Sequence, residues 1–510
     1  MKTIAFGLVA GVALAALMLT PGRGSGAADS LQERIDAAQS GDTLYIEGGV
    51  YAGGISIDKP LNLIGQGMPV IDGQGQGDVV TISGTDVTLS GFEIRGSGRA
   101  ISKEPAAIKL VNAHAPTIRS NRIRDAHFGI HATGTHHATI AYNDIDLGAD
   151  TPVERRGHAI YLWEVTGSAV HANQIRNAGD GIHLEFSDDN GIGANRVTES
   201  RYALHFMYAN NNRIRENHFE DNLAGAVLMF SKELVLNGNY LAANRKGATG
   251  AGILLKDVDN IFVEGNTVLR NKYGLRAEGS PQTAGSSAVF MRNLFALNDT
   301  GLALTTNSPV TFVENSMVEN TVQVTAIGSG QLGGHEGAAL PESSAAGHAG
   351  HGQSDSQSQP EDGAPLPDSA IWAVNGRGNY WSDYRGYDAD GNGVGDGPYA
   401  PQPPFAGALS GNESLRLFQF TVAQQAIDAA ADMFPVYEYA PVMTDAAPLM
   451  RPTGPALPDR SGLNTSLLVT SGLLVLLAAT LLQAVLDFDV TAALRRLRGK
   501  ALGYFGGGAE

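Results

Sequence analysis

Asn195-Arg-Val197, Asn217-His-Phe219, Asn239-Tyr-Leu241: Asn, any residue, then an apolar one, returning every 22 residues. The phrase extends upstream to Asn121-Arg-Ile123, Asn143-Asp-Ile145 and Asn173-Gln-Ile175. Downstream it continues through Asn266-Thr-Val268, Asn293-Leu-Phe295 and Asn315-Ser-Met317. A second phrase keeps the same beat, as in Gly181-Ile182, Ala203-Leu204, Gly225-Ala226 and Gly252-Ile253. Self-similarity at a fixed period marks a solenoid. Each repeat holds three short runs of alternating apolar residues broken by Gly, Asn or Asp. That pattern fits neither a leucine-rich repeat nor a helical one. The expected fold is all-β, a right-handed parallel β-helix over 29–327, with the recurrent Asn passing hydrogen bonds from coil to coil.

Both ends of the 510-residue chain carry address-like segments. Lys2 and the apolar run Ile4–Leu19 lead to small residues near Ala27 and Ala28, which predicts a signal peptide over 1–28. Ser30-Leu-Gln-Glu33 has the form of a capping box and predicts a short helix at 30–39, covering the open end of the solenoid. Near the other end, 463–486 is apolar and long enough to span a bilayer once. Arg495, Arg496, Arg498 and Lys500 in the tail 487–510 place that tail on the cytoplasmic side, so the main domain faces outward. The net charge of −17 argues against a nucleic-acid partner. With no Cys, any metal chemistry falls to His, Met, Asp and Glu.

Between solenoid and membrane span the repeat breaks. The segment 328–367 is rich in Gly, Ser and Ala, contains His335, His348 and His351, and reads as a flexible insertion, either metal-catching or merely solvated. Residues 368–434 are expected to form a C-terminal cap, with a helix over 413–434. Asp388, Asp390, Asn392 and Asp396 alternate with Gly in it like a calcium loop, although the distal Glu of an EF-hand is missing. Structural calcium and a plain Asp/Gly turn both fit. A Pro-rich linker is expected over 435–462.

Chemistry enters when the coils are aligned on the Gly-Ile phrase. One column then reads His131, Tyr161, His183, His205, Val227, and the column two residues on reads Thr133, Trp163, Glu185, Met207, Met229. Since alternate strand residues share a face, Ile182 and Leu184 point into the core, and His183 and Glu185 point out with His205 and Met207 above them. Imidazole suits several transition metals and thioether sulfur selects Cu(I). His183, Glu185, His205, Met207 and Met229 are therefore the candidate copper ligands. His131, His136, His137 and Trp163 extend the face as a docking or access surface. For any single histidine plain surface decoration is the better reading; only for His183, Glu185, His205, Met207 and Met229 together do the two readings balance.

Gly41-Asp-Thr-Leu44, the 22-residue coils, and above all Gly378-Asn-Tyr-Trp-Ser-Asp-Tyr384 running into Gly386-Tyr-Asp-Ala-Asp-Gly-Asn-Gly-Val-Gly-Asp396 resemble the NosD family. The resemblance implies a non-enzymatic periplasmic factor for copper-site assembly in nitrous oxide reductase. It also implies partners: the membrane and ATPase subunits of an ABC transporter, a copper lipoprotein chaperone, and the reductase itself. Two other readings stay open. One is a polysaccharide-active enzyme using carboxylates among Asp180, Glu185, Asp188 and Asp189. The other is a purely structural docking adaptor.

Overall fold

A computed structural model describes residues 30–247, 250–305, 310–327, 370–401 and 441–458. The chain forms two compact units, Met1–Pro455 and Ala456–Glu510, and the coils lie in the first. Each repeat makes one coil of three short strands, and every strand pairs in parallel with its counterpart one coil on. Thus Asp180–Glu185 pairs with Tyr202–Met207, Gly191–Gly193 with Arg213–Arg215, and Arg196–Thr198 with His218–Glu220. Among the described residues the result is three parallel sheets of 12, 13 and 12 strands, the first holding Gly191–Gly193, the second Arg196–Thr198 and the third Asp180–Glu185: the parallel β-helix read from the repeat. The 30-residue interval between Asn143 and Asn173 keeps this register by placing its surplus in a turn around Val153–Arg155.

The pleat explains the apolar spacing. Ile182, Leu184, Leu204, Phe206, Val197 and Phe219 come from different sheets and all point inward with no exposed surface. Burying one such side chain contributes about 1.5–3 kcal/mol, so stacking coils is what holds the solenoid together. Coil-to-coil order is added by the Asn residues. Asn217 shows the pattern: its Nδ2 donates to Ile192 O (2.9 Å) and to Asn239 Oδ1 (3.0 Å), and its Oδ1 accepts from the backbone N and the Nδ2 of Asn195 (both 3.0 Å). A second ladder, Asn222–Asn244–Asn271–Asn298–Asn320, runs along another corner. The residue before each Asn of the first ladder adopts left-handed backbone, for example Ala194 (φ 52°) and Glu216 (φ 56°). Gly takes this place before Asn239 and Asn266, and the other corners are tolerated without it because the ladder fixes the residue that follows.

Both ends are closed. The helix Leu31–Ala37 has the expected capping box between Ser30 and Glu33 and buries Leu31 and Ile35. Its Gln32 takes the place of a strand. The Gln32 Oε1 accepts from Ser56 N (2.8 Å) and its Nε2 donates to Ser56 O (3.2 Å), so an edge strand of the third sheet is partly satisfied.

At the far end Tyr380–Trp381 adds a strand to the second sheet, and Asn379 continues the first ladder, its Oδ1 2.9 Å from Asn315 Nδ2. The ladder stops at Asp445, whose Oδ2 accepts from Asn379 N (2.8 Å) and Trp381 Nε1 (2.9 Å). A carboxylate accepts and has nothing to pass on, which is what the last rung requires. Asp445 lies in the stretch expected to be an extended linker, and that expectation is corrected here. Residues 441–454 fold over the last coil: Asp445 and Tyr399 exchange both backbone bonds at 2.8 Å, and Leu449 N donates to Asn379 O at 2.9 Å. The Asp, Ala and Leu between the prolines supply the groups that the last coil leaves unpaired. Gly378 is glycine by necessity, because a Cβ there would strike the Asp445 carboxylate.

The expected signal peptide 1–28, the insertion 328–367, the helix 413–434, the membrane span 463–486 and the tail 487–510 lie outside the described residues. Among the described residues no helix is long and apolar enough to cross a membrane.

Candidate metal site on the third sheet

The strands Ile160–Trp163, Asp180–Glu185, Tyr202–Met207 and Ala224–Met229 lie side by side in the third sheet. Their pairing sets Tyr161 against His183, His183 against His205, Trp163 against Glu185, Glu185 against Met207, and Met207 against Met229. The two columns read from the sequence are therefore real neighbours. The rings of His183 and His205 stack with centroids 4.4 Å apart and planes 17° from parallel.

These histidines point away from the core, but they are not on an open surface. His183 is 8% exposed and His205 9%. The reason is a row of aromatics beside them on the same outer face of the sheet. Tyr161 lies 5.0 Å from the His183 ring and Tyr202 lies 5.2 Å from the His205 ring, while Phe128 packs against Tyr161. Alternation in the sequence distinguishes inside from outside, and it is silent about aromatics that close over the outside.

A further column runs three residues ahead of the histidine column, with His158, Asp180 and Tyr202 at equivalent places. It brings in His158, which the alignment passed over because it starts two residues before its strand. His158, Asp180 and His183 place ligand-capable atoms within 4.8 Å of one another. Asp180 is wholly buried and heavily engaged. Arg201 donates Nε to its Oδ1 and an Nη to its Oδ2, both at 2.8 Å, and His205 Nδ1 lies 2.9 Å from Oδ2. Backbone N of Asp180 also donates to His158 Nδ1 at 3.1 Å.

Three nitrogens are left over. Both ring nitrogens of His183 and the Nε2 of His205 are buried without a partner. An unsatisfied buried polar group costs about 1–3 kcal/mol, a penalty that a bound metal ion removes. Protonation is no substitute. Desolvation holds the His183 imidazole well below its ordinary range, helped by repulsion from His205 and His158. Desolvation likewise pushes His158 down to about 4. Burial alone would raise Asp180, but Arg201, with help from His158 and His205, holds its carboxyl well below the usual range. The cluster thus holds His183 and His158 as neutral imidazoles, the form that binds metal, around a fixed anion. A carboxyl held ionised in this way is a poor general acid, so Asp180 does not suit that half of a glycan-cleaving pair.

The remaining candidates fall into place differently. Glu185 accepts from Tyr161 Oη at 2.7 Å, so one of its oxygens is already engaged. Met207 and Met229 are half-buried at the rim of the same strands. His131 is corrected as a docking residue: it is 3% exposed, stacked 4.9 Å from Tyr161, with desolvation pushing it down to about 4. His136 and His137 are exposed, but they sit in the turn after the strand Phe128–Thr133 and not on its face. His136 bonds Thr166 Oγ1 at 2.8 Å, and His137 packs 5.4 Å from His114. Trp163, 40% exposed, does remain on the surface.

In the Asp-rich loop the side chains turn back on their own backbone. Asp388 accepts from Asn392 N (3.1 Å) and Gly393 N (2.9 Å), and Asp396 accepts from Ala389 N (2.8 Å). Among the described residues, Asp388, Asp390 and Asp396 do not form a group of converging metal-ligand atoms of the kind found at His158, Asp180 and His183.

Fold and site together define a class: a parallel β-helix carrying a walled-in cluster of buried histidines on one outer face. Residues 145–333, which include that cluster, match the family described as "Periplasmic copper-binding protein (NosD)". The chain is 34% identical to the "Probable ABC transporter binding protein NosD" of Stutzerimonas stutzeri, over 81% of this chain and 88% of that protein. It is 33% identical to the protein of the same description in Pseudomonas aeruginosa, over 79% and 87%. The chain belongs to the NosD family. Among solved structures, an exopolygalacturonase from Thermotoga maritima is similar at 11% identity and a TM-score of 0.41, covering 58% of this chain and 85% of that one. The alginate lyase AlyF-OU02 is similar at 15% identity and a TM-score of 0.43, covering 57% and 82%. Likeness at that level carries no argument about activity.

Proposed function

We propose that this protein is a periplasmic accessory factor for assembling the copper sites of nitrous oxide reductase, and that copper is its cargo. It works with an ABC transporter and accepts or relays the metal on the outer face of the third sheet. Family membership and the descriptions of its relatives support the setting. The observation that carries the copper role in this chain is the set of three buried, partnerless nitrogens on His183 and His205. Neutral imidazole with thioether sulfur at the rim suits Cu(I), so we read His183 and His205 as the inner ligands and Met207 and Met229 as the outer ones. Trp163 stands beside this path, where a copper lipoprotein chaperone or the reductase would dock. The apolar run at 463–486 would tether the domain to the inner membrane near the transporter's membrane and ATPase subunits. The reading requires no catalytic residue. Calcium in the loop at Asp388, Asp390, Asn392 and Asp396 gains no support from the way those side chains are already bonded.

The test is copper loading of the reductase in cells carrying His183→Ala, His205→Ala and Met207→Ala together. Loading is expected to collapse while circular dichroism shows the β-helix intact. Full loading with the triple variant would sink the site.

A further inference from the structure

We propose that Asp180 is the positioning residue of the copper station: clamped by Arg201, it holds His205 in the Nδ1–H tautomer and so aims a bare Nε2 lone pair, beside His183, at the metal. The inference rests on the copper reading above and says how the ligand is prepared for it.

Hydrogen-bond counting leads there. The Asp180 carboxylate takes two bonds from Arg201, one on each oxygen. It carries no proton to give, so in the 2.9 Å contact with His205 Nδ1 the proton must sit on the ring. A ring that carries one proton, at Nδ1, has its lone pair on Nε2. That atom is one of the buried nitrogens without a partner. His183, stacked on it at 4.4 Å, has no hydrogen-bond partner at either ring nitrogen, and one of the two carries a further lone pair. His158 is different: its Nδ1 lone pair already accepts from Asp180 N, so it meets His183 edge-on at 4.8 Å as a wall. A carboxylate behind a ligating histidine fixes its tautomer and raises its basicity, and removing such a partner costs 10–100-fold in metal affinity.

The same chain offers an internal contrast. His218 Nε2 lies 2.9 Å from Glu220 Oε2, and Arg196 binds that carboxylate at 3.0 Å. This is again a histidine, a carboxylate and an arginine, but the His218 side chain is 35% exposed and it stacks on Tyr240, not on a second histidine. Tethering a histidine to an anion is thus common on this solenoid. The arrangement at Asp180 differs in enclosing two imidazoles with unused lone pairs.

The experiment uses the full chain, in three forms: wild type, Asp180→Asn, and Glu220→Gln as the control. Anaerobic competition against a Cu(I) chelator measures affinity, and spectra of metal-free protein with ¹⁵N-labelled histidine report the tautomer of His205. The wild type is expected to show His205 protonated at Nδ1. Asp180→Asn is expected to lose that signature and bind Cu(I) about 10–100-fold more weakly, with Glu220→Gln unchanged. Should Asp180→Asn fail to fold, Arg201→Lys, which keeps the charge but loses the fork, is expected to show a smaller loss in the same direction. A wild-type His205 protonated at Nε2 overturns the inference outright, whatever the variants do. Wild-type Cu(I) binding that Asp180→Asn leaves unchanged overturns the role of Asp180 alone. Failure of the wild type to bind Cu(I) overturns the copper reading with it.

Discussion

Replacing Asn217 by Ala should cost this protein about 2 kcal/mol, although the residue lies far from either end and contacts no candidate ligand. The side chain makes four hydrogen bonds to buried partners. Three of those partners have an alternative: Asn195 Nδ2 still donates to Val170 O, Asn239 Oδ1 still accepts from the backbone N at position 217, and Ile192 O still faces the strand Arg213–Arg215 in the parallel ladder. One does not, namely the backbone N of Asn195. A buried group stranded in this way costs about 1–3 kcal/mol, which puts the midpoint near 2. Urea denaturation followed by far-ultraviolet circular dichroism measures the change, with Asn237→Ala as the control. Asn237 is only half-buried, with one long bond of 3.4 Å to Glu264, and its loss should register below about 0.5 kcal/mol. If Asn217→Ala loses less than about 1 kcal/mol, the ladder is ornamental and core burial alone holds the coils in register.

Two further outcomes follow. The folded protein holds His158 and His131 near a pKa of about 4 through desolvation, whereas the unfolded chain protonates them near 6.5. Stability should therefore be full above pH 6.5 and fall as pH drops toward 4, by about 2 kcal/mol per histidine between pH 6.5 and 5; urea midpoints that stay flat across this range would contradict the buried, neutral assignment. Asp445→Asn should cost about 1–3 kcal/mol, because an amide nitrogen would then face donors at the last rung. Tryptophan fluorescence should shift with it, since Trp381 loses its partner, and an unchanged spectrum and midpoint would show that the ladder needs no terminator.

The repeat made the fold legible because parallel pairing is periodic: one Asn per coil at Asn195, Asn217 and Asn239 fixes both strand register and coil number. It also made the His183–His205 pairing legible, since residues one period apart must be neighbours. What stayed hidden was non-periodic. The spacing puts Tyr161 next to His183 but does not show how far Tyr161 and Tyr202 bury the histidines, because aromatics on an outer face read as surface. His158 could have been found by extending the alignment three residues ahead of the column, where Asp180 and Tyr202 share its place. Asp445 could not have been, because its partner Asn379 is 66 residues away and Pro-rich flanks suggest a linker.

The block that carries the family resemblance, Gly378 to Asp396, turns out to close the solenoid. Asn379 and Trp381 hold the last rung, and the Asp loop wraps Tyr384, whose hydroxyl donates to Gly397 O at 2.6 Å. The signature therefore marks the architecture, and the chemistry lies in coils with no signature of their own. The two are nevertheless linked mechanically. His183 and His205 meet only because two coils stack one strand spacing apart, about 4.8 Å. Neither histidine is placed by a loop that can move by itself. Whatever keeps the coils in register, from Gln32 at one end to Asp445 at the other, also sets the separation of the two imidazoles. A metal station built across coils should thus tighten or slacken with the stability of the whole stack, and a defect in the cap at Asp445 should weaken copper binding from a distance without touching a ligand.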